Sequence, residues 1–158
     1  MKPVTGTPIF EAERFGNIRE LILTSCERHA ASDAFIFRRN PKQSEIHRSF
    51  AEFGEDIRDL GTYLVNSKYK GDRLAVVGEN CYEWALTQIT VLASDNVFVP
   101  IDKELPMTDL LNVIDHSDAV MVFCTGSFAK SLYDNKDKIP KVRYFVVYRP
   151  KNELPDGF

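Results

Sequence analysis

The chain has 158 residues, of which 44% are hydrophobic, so we expect one domain with a sizeable apolar core. Lys and Arg number 20 against 23 Asp and Glu, a net charge of −3. This balance argues against a basic surface that would bind nucleic acid or an anionic membrane. The three cysteines form no Cys-x-x-Cys pair and no uncharged run is long enough to span a bilayer, so we expect a cytoplasmic protein with free thiols, no metal site and no transmembrane segment.

The segment before residue 50 predicts a helix followed by a β-hairpin. Apolar residues recur at helical spacing from Asn17 to about Ala30, and Asn17 is a residue type that caps helices. Ala34–Arg39 is typical of a strand, the stretch 40–43 of a turn, and Glu45–Phe50 alternates like a second strand.

A second helix is predicted to follow directly. Ser49 suits its N-cap, and Glu52 stands three residues later, as in a capping box. The apolar residues after this start lie on one helical stripe, which indicates an amphipathic helix with one face on a core. Its stripe consists of Phe53, Ile57, Leu60 and Leu64.

From residue 73 onward, short apolar runs alternate with helical patterns. The strand candidates are Leu74–Val77, Val97–Ile101, Ala119–Phe123 and Val142–Tyr148, and the helix candidates between them are Cys81–Ser94, Met107–His116 and Ser127–Asn135. Alternation of this kind predicts parallel pairing with helices covering the sheet. The expected fold class is α/β: an open, largely parallel sheet of four or five strands with helices on both faces, plus the N-terminal helix and hairpin, in a single domain spanning residues 1–158.

The common nucleotide-binding signatures are missing from the sequence. No two glycines are separated by a single residue, so the dinucleotide-binding turn Gly-x-Gly-x-x-Gly is excluded, as are the Gly-x-x-x-x-Gly-Lys loop and the Gly-x-Ser-x-Gly elbow. Cys124–Ser127 connects a strand to a helix and could hold an anion on backbone N–H groups, but Ser127 is explained as an ordinary N-cap. Asp115, His116 and Asp118 resemble an acid–base cluster, although their types also suit a helix end and turn.

The segment Gly78–Trp84 is the most informative candidate. A predicted strand ends at Gly78, Asn80 suits the N-cap of the next helix, and Glu83 would complete a capping box. Trp84 is then expected to pack against the sheet. Because ligands of open α/β sheets bind at the carboxyl ends of strands, Asn80 and Trp84 are our two candidates near a substrate.

Four segments, taken in order, resemble the beginning of an AMP-forming acyl-CoA ligase of the adenylate-forming family. Arg48–Phe53 is similar to its first motif, and Gly78–Trp84 to the Glu-Asn-x-x-Glu-Trp turn of long-chain fatty-acid members. Leu92–Asp102 and Lys103–Pro106 resemble its second motif and the continuation into a helix. The sequence departs from the family at Asp95, where Gly is usual. The resemblance covers roughly residues 10–150 and no single motif is specific by itself.

The matching motifs belong to the scaffold, because the catalytic parts of this family lie further along a much longer chain. Glu52 marks a helix start, Pro100 is expected to end the strand Val97–Val99, Asp102 to open a turn and Pro106 to start a helix. The resemblance therefore implies an N-terminal subdomain fragment of a long-chain fatty-acid–CoA ligase, with no catalytic, cofactor-binding or metal-binding residue of its own.

For the full-length enzyme, the resemblance implies carboxylate activation by ATP with Mg²⁺, followed by transfer of the acyl group to coenzyme A. The chain alone is expected to be inactive and to have the remainder of its own polypeptide as its partner, with self-association through exposed apolar surface. The alternative is a stand-alone α/β binding or scaffold module without catalysis, such as a receiver-like domain. Glu79 supplies at most one of the acidic pair that a receiver needs.

Overall fold

The computed structural model describes residues 6, 10, 12–67 and 69–149. In chain order, its elements are α1 (Ile18–Arg28), β1 (Asp33–Phe37), β2 (Ile46–Ser49), α2 (Phe50–Asn66), β3 (Arg73–Val77), α3 (Tyr82–Ala93), β4 (Val97–Ile101), α4 (Met107–His116), β5 (Met121–Thr125), α5 (Gly126–Asp134), a 3₁₀ turn (Lys136–Lys138) and β6 (Tyr144–Tyr148). Within the described ranges, no helix combines the length and apolar character needed to cross a bilayer.

Strands β3 to β6 form one parallel sheet in the order β4-β3-β5-β6. Strand β1 pairs with β2 in a separate antiparallel hairpin. The chain leaves β3 for one neighbour, β4, and then crosses back to β5 on the other side of β3. The carboxyl ends of β3 and β5 therefore flank the point at which the winding reverses, which is the topological switch point of an open sheet.

The sheet is covered on both faces, as the sequence predicts. Alternate side chains of the central strands enter different cores, because successive residues of a strand point to opposite faces. One core joins the sheet to α4 and α5 and includes Ala75, Val77, Val122, Leu110 and Leu132. The other joins it to α2 and α3 and includes Leu74, Val76, Phe123, Leu64 and Val91.

The N-terminal elements pack on α2 and α3 through a third cluster. Cys26 of α1, Phe53 and Ile57 of α2, and Tyr82 of α3 are its buried residues. The ring of Phe35 meets Phe53 edge-on at 4.9 Å and Tyr82 at 5.2 Å between centroids. The hairpin is thus fixed to the main body by aromatic contacts, which contribute beyond the area they bury.

The first two predicted caps are confirmed. The Asn17 side chain accepts a hydrogen bond from the Glu20 backbone N–H at 2.9 Å. Ser49 and Glu52 form a complete capping box, in which Ser49 N–H donates to Glu52 Oε2 at 2.8 Å. Both caps join residues three positions apart, so local sequence determines them.

The predictions around β4 are corrected in part. Pro100 does not end the strand: it lies within β4, opposite Val76. This is tolerated because β4 is an edge strand, where a missing N–H breaks no second ladder. Asp102 does open a turn, since its Oδ1 accepts from the Glu104 N–H at 2.9 Å, whereas Pro106 is the N-cap of α4 and not its first residue.

The backbone conformation explains why the family usually has Gly at the position of Asp95. Helix α3 ends with Ser94 as its C-cap, and Asp95 follows with a φ of 61°. This left-handed conformation just past a helix end favours glycine, which has no Cβ. Asp95 therefore keeps the turn that glycine would make and carries a conformational cost for doing so.

Candidate functional site

The switch point between β3 and β5 is the part of the sheet where an open α/β fold binds ligands. Two turns meet there. Gly78–Asn80 follows β3, and Gly126 and Ser127 open α5 directly after Thr125, the last residue of β5. The side chains at this point determine which ligands can bind at this edge of the sheet.

The carboxylate of Glu79 bridges the two turns. The Thr125 hydroxyl donates to Glu79 Oε2, and the Ser127 hydroxyl donates to Glu79 Oε1 at 2.9 Å. Thr125 is the N-cap of α5, so an acidic side chain stands at the positive end of that helix. Such a group is stabilised by the helix dipole.

Gly78 allows the two turns to approach this closely. Its φ is +144°, and a Cβ built at this position would lie 2.5 Å from Thr125 Oγ1 and 2.7 Å from Thr125 Cγ2. Any side chain would therefore collide with the residue that binds Glu79. The glycine is required by packing as well as by backbone conformation.

Glu79 is held in its ionised form. The hydrogen bond from Thr125 is the largest influence on the pKa of Glu79. Together with the Ser127 hydrogen bond and the positive charge of Lys103, it outweighs the opposing effect of burial, so this pKa lies below its usual value. At neutral pH the switch point accordingly carries a negative charge.

A second acidic side chain, Glu83, ties three elements together near the same edge. Arg149 Nη2, just past β6, lies 2.6 Å from Glu83 Oε2, and Arg39 Nη2 of the hairpin lies 3.4 Å from Glu83 Oε1. Burial alone would raise the pKa of Glu83, but the Arg149 guanidinium outweighs it and this pKa also lies below its usual value. The pairing joins the start of α3 to the end of β6 and to the hairpin.

The predicted capping box at Asn80 and Glu83 is wrong. Cys81 is the N-cap of α3 and its side chain makes no capping hydrogen bond. Glu83 is directed to Arg149 and Arg39 because an ion pair with two guanidinium groups outweighs a single bond to a helix-end N–H. Asn80 is left exposed in the turn after β3.

Trp84 packs against the sheet, as predicted. Its ring meets Phe98 of β4 edge-on, with 5.7 Å between centroids and 89° between planes, and it borders the core shared with α2 and α3. The structure thus separates the two candidate residues: Asn80 is exposed in the turn after β3, and Trp84 is a residue of α3 that packs on Phe98 of β4.

The remaining candidates have structural explanations. Ser127 is not the N-cap of α5, a position that Thr125 occupies, and both hydroxyls are directed to Glu79 and not to an external anion. Lys141 Nζ lies 2.8 Å from Asp118 Oδ1 and 3.6 Å from Asp115 Oδ1. This surface ion pair at the end of α4 uses the carboxylates that resembled an acid–base cluster. Over residues 12–67 and 69–149, no group of three potential metal ligands comes together.

The fold and the switch point together define a doubly wound α/β domain. Its own side chains occupy the edge of the sheet at the carboxyl ends of the strands. The AMP-binding enzyme family matches residues 23–156, most of the chain, and the chain belongs to this family. A mitochondrial medium-chain acyl-CoA ligase of Danio rerio is 25% identical over 117 residues, 73% of this chain. The chain spans only 19% of the length of that relative.

Solved structures agree on the fold. A long-chain-fatty-acid–CoA ligase from Archaeoglobus fulgidus matches 97% of this chain with a TM-score of 0.78 at 17% identity, over 31% of its own chain. Acetoacetyl-CoA synthetase from Streptomyces lividans matches 89% with the same TM-score at 16% identity, over 23% of its own chain. Each structure is several times longer than the part that this chain resembles.

The family implies a nucleotide, and the switch point does not suit its phosphates. An anion binds at a helix N-terminus when backbone N–H groups and the dipole face it unopposed. At α5 an ionised carboxylate, Glu79, already stands there and would repel a polyphosphate. The described residues of this edge therefore do not fit the phosphates of ATP, and we derive no reaction step from them.

Proposed function

We propose that this chain is the N-terminal supporting subdomain of a long-chain fatty-acid–CoA ligase whose catalytic groups come from other parts of a longer polypeptide. The observation that carries the proposal is the Glu79 carboxylate at the switch point, bound by Thr125 and Ser127. In a domain of this family whose own side chains occupy the carboxyl edge of the sheet in this way, that edge supports the rest of the enzyme and does not bind nucleotide. The 19% span of the curated relative supports the same reading.

The reaction of the whole protein would be an adenylyl transfer to the carboxylate followed by an acyl transfer to coenzyme A. A fatty carboxylate oxygen attacks the α-phosphorus of ATP, pyrophosphate leaves with Mg²⁺ assistance, and an acyl-adenylate forms. The sulfur of coenzyme A then attacks the acyl carbon and AMP leaves. In our proposal the present chain supplies none of these groups and is inactive alone, and its cytoplasmic location stays a prediction.

The remainder of the polypeptide is the proposed partner, and β6 is the proposed contact. In the described sheet β6 pairs on one side only, with β5, and its sequence Tyr-Phe-Val-Val-Tyr carries no charge. Tyr144 at its start is 49% exposed. An uncharged open edge is a template for further pairing, so the isolated chain should self-associate; sedimentation showing a clean monomer at high concentration would count against this contact.

Asn80 and Trp84 remain our proposed residues near the substrate of the whole enzyme. Asn80 is exposed at the carboxyl edge, where a ligand held by another subdomain would approach. Trp84 would act indirectly, because it holds α3 on β4. In the full-length enzyme, Asn80→Ala should raise KM for the carboxylate while leaving the unfolding midpoint unchanged, and an unchanged KM would remove Asn80 from the site.

The deciding experiment compares this chain with the longer polypeptide encoded by the same gene. Both are incubated with hexadecanoate, ATP, Mg²⁺ and coenzyme A, and acyl-CoA is measured by mass spectrometry. We expect product only from the longer polypeptide. Product from the 158-residue chain would refute the supporting role, and a stop codon directly after Phe158 would favour the stand-alone scaffold.

A further inference from the structure

A groove of about 400 Å³ lies between α1, α2 and the C-terminal end of α3. Pockets of roughly 300–1,000 Å³ are the usual size for small-molecule ligands. The groove is separate from the switch point, because α3 has 12 residues and a helix of that length puts its two ends about 18 Å apart. Its lining residues include Ile22, Leu23, Ile57, Val65, Thr90 and Ala93.

Two arginines give this apolar groove a positive charge. Arg19 and Arg58 line it together with uncharged residues only. Neither arginine has an ion pair with a carboxylate among the described residues. Arg19 Nε donates to the Ala93 carbonyl at 2.5 Å, which holds its guanidinium at the end of α3. Unpaired guanidinium groups beside apolar surface are suited to an anionic head group.

A buried hydroxyl in the same lining lacks a partner. Thr90 is 1% exposed, and its Oγ1 makes no hydrogen bond within residues 12–67 and 69–149. A buried donor left unpaired is costly, and native structures contain few such groups. Because this oxygen is itself buried and the Thr90 methyl group is the atom next to Gly61, Thr90 gives the wall of the groove an apolar surface.

We propose that the groove binds a single-chain amphiphile with an anionic head, the alkyl chain lying among Ile22, Ile57 and Val65 and the carboxylate between Arg19 and Arg58. The site is independent of the proposed function, because it uses none of the residues at the switch point. It would give the domain a second contact with the class of molecule that carries a carboxylate on an alkyl chain.

The anionic head and the alkyl tail of the ligand contribute separately to its affinity. Octanoate supplies both, octan-1-ol supplies the tail alone, and acetate supplies the head alone. Burying a methylene group strengthens binding by about four-fold, so octanoate should bind far more tightly than butanoate and acetate should not bind measurably. Calorimetry on the 158-residue chain gives these affinities.

Two variants test the same two contributions. Arg58→Gln keeps the alkyl stem and should weaken octanoate by at least about ten-fold while leaving octan-1-ol unchanged. Gly61→Leu should abolish binding of both, since a Cβ at Gly61 lies 3.6 Å from Thr90 Cγ2 and the rest of the side chain then fills the groove. Arg143→Gln, on an exposed arginine outside the lining, is the matched control and should change neither affinity.

Methyl NMR locates the ligand independently of affinity. Octanoate should shift the methyl signals of Ile22, Leu23 and Ile57 and leave that of Ile101, on the other face of the sheet, in place. Circular dichroism shows whether each variant is folded, and Arg58→Gln decides the matter alone if Gly61→Leu fails to fold. The proposal is overturned if octanoate binds no better than octan-1-ol, if Arg58→Gln leaves it unchanged, or if the shifts fall elsewhere.

Discussion

The substitution Gly78→Ala tests how the switch point is built. The new Cβ would lie 2.5 Å from Thr125 Oγ1 and 2.7 Å from Thr125 Cγ2, at a backbone φ of +144°. The backbone conformation costs about 1–3 kcal/mol for a residue with a side chain. The overlap with Thr125 adds about 1–3 kcal/mol, as overpacking generally does, so the total is about 2–6 kcal/mol.

The matched control is Gly71→Ala. Gly71 also has a positive φ, +83°, but a Cβ there meets nothing within 4 Å. It should therefore cost only the backbone penalty, about 1–2 kcal/mol. Since 1 kcal/mol corresponds to about 2–4 °C at this chain length, Gly78→Ala should lower the unfolding midpoint by about 4–24 °C and Gly71→Ala by about 2–8 °C.

Urea unfolding followed by circular dichroism and by the fluorescence of Trp84, the single tryptophan, measures both variants. The overlap itself is isolated by repeating Gly78→Ala in a Thr125→Ala background, which removes the two closest atoms. There the penalty should fall by about 1–3 kcal/mol. Equal costs for Gly78→Ala and Gly71→Ala, or no relief in the Thr125→Ala background, would refute the close approach of the two turns.

Three further changes have defined outcomes. The pKa of Glu79 is lowered in the folded protein, so its carboxylate stabilises the fold at any pH above the pKa of the unfolded chain, about 4.3. This contribution is lost as the pH falls through the pKa of the folded protein. The stability difference between the wild type and Glu79→Gln should therefore be constant near neutral pH and shrink in acid. Asp95→Gly should raise stability by about 1 kcal/mol in urea unfolding, because φ is 61°, and its exposed ion pair with Lys70 is worth little. Tyr82→Phe removes the hydroxyl that donates to Asp56 at 2.5 Å and should cost about 1.5–3 kcal/mol.

Each of these has its own control or contrary result. A stability difference for Glu79→Gln that grows in acid would contradict the direction of the shift. Asp95→Ala keeps a Cβ and should gain nothing, so a gain equal to that of glycine would exclude the backbone explanation. Tyr63 is 54% exposed, and Tyr63→Phe should be neutral; an equal loss there would show that the Asp56 bond is not the cause.

Local patterns in the sequence predict the fold well. The capping box of Ser49 and Glu52 links neighbouring residues, and the alternation of apolar runs with helical patterns defines a covered parallel sheet without any long-range information. Pro100 shows where such local reading fails, because whether a proline ends a strand depends on whether that strand lies at an edge. The sheet order that puts β4 at the edge is not encoded in the neighbourhood of Pro100.

The candidate site is less predictable, because its contacts join distant parts of the chain. Glu83 has the spacing of a capping residue, yet it pairs with Arg149 after the last strand. Glu79 gives no local signal for its bonds to Thr125 and Ser127. The available hint was Gly78, since a glycine at the end of a buried strand often marks a close approach of two backbones.

The measurement that tests the supporting role most directly is calorimetric titration of the isolated chain with ATP and Mg²⁺. With an ionised carboxylate already at the start of α5, we predict no binding at concentrations up to about 1 mM, the scale of −4.1 kcal/mol. Sub-millimolar affinity that disappears on substitution of Thr125 or Ser127 would contradict the account, because the switch point would then hold a nucleotide and not a side chain of its own.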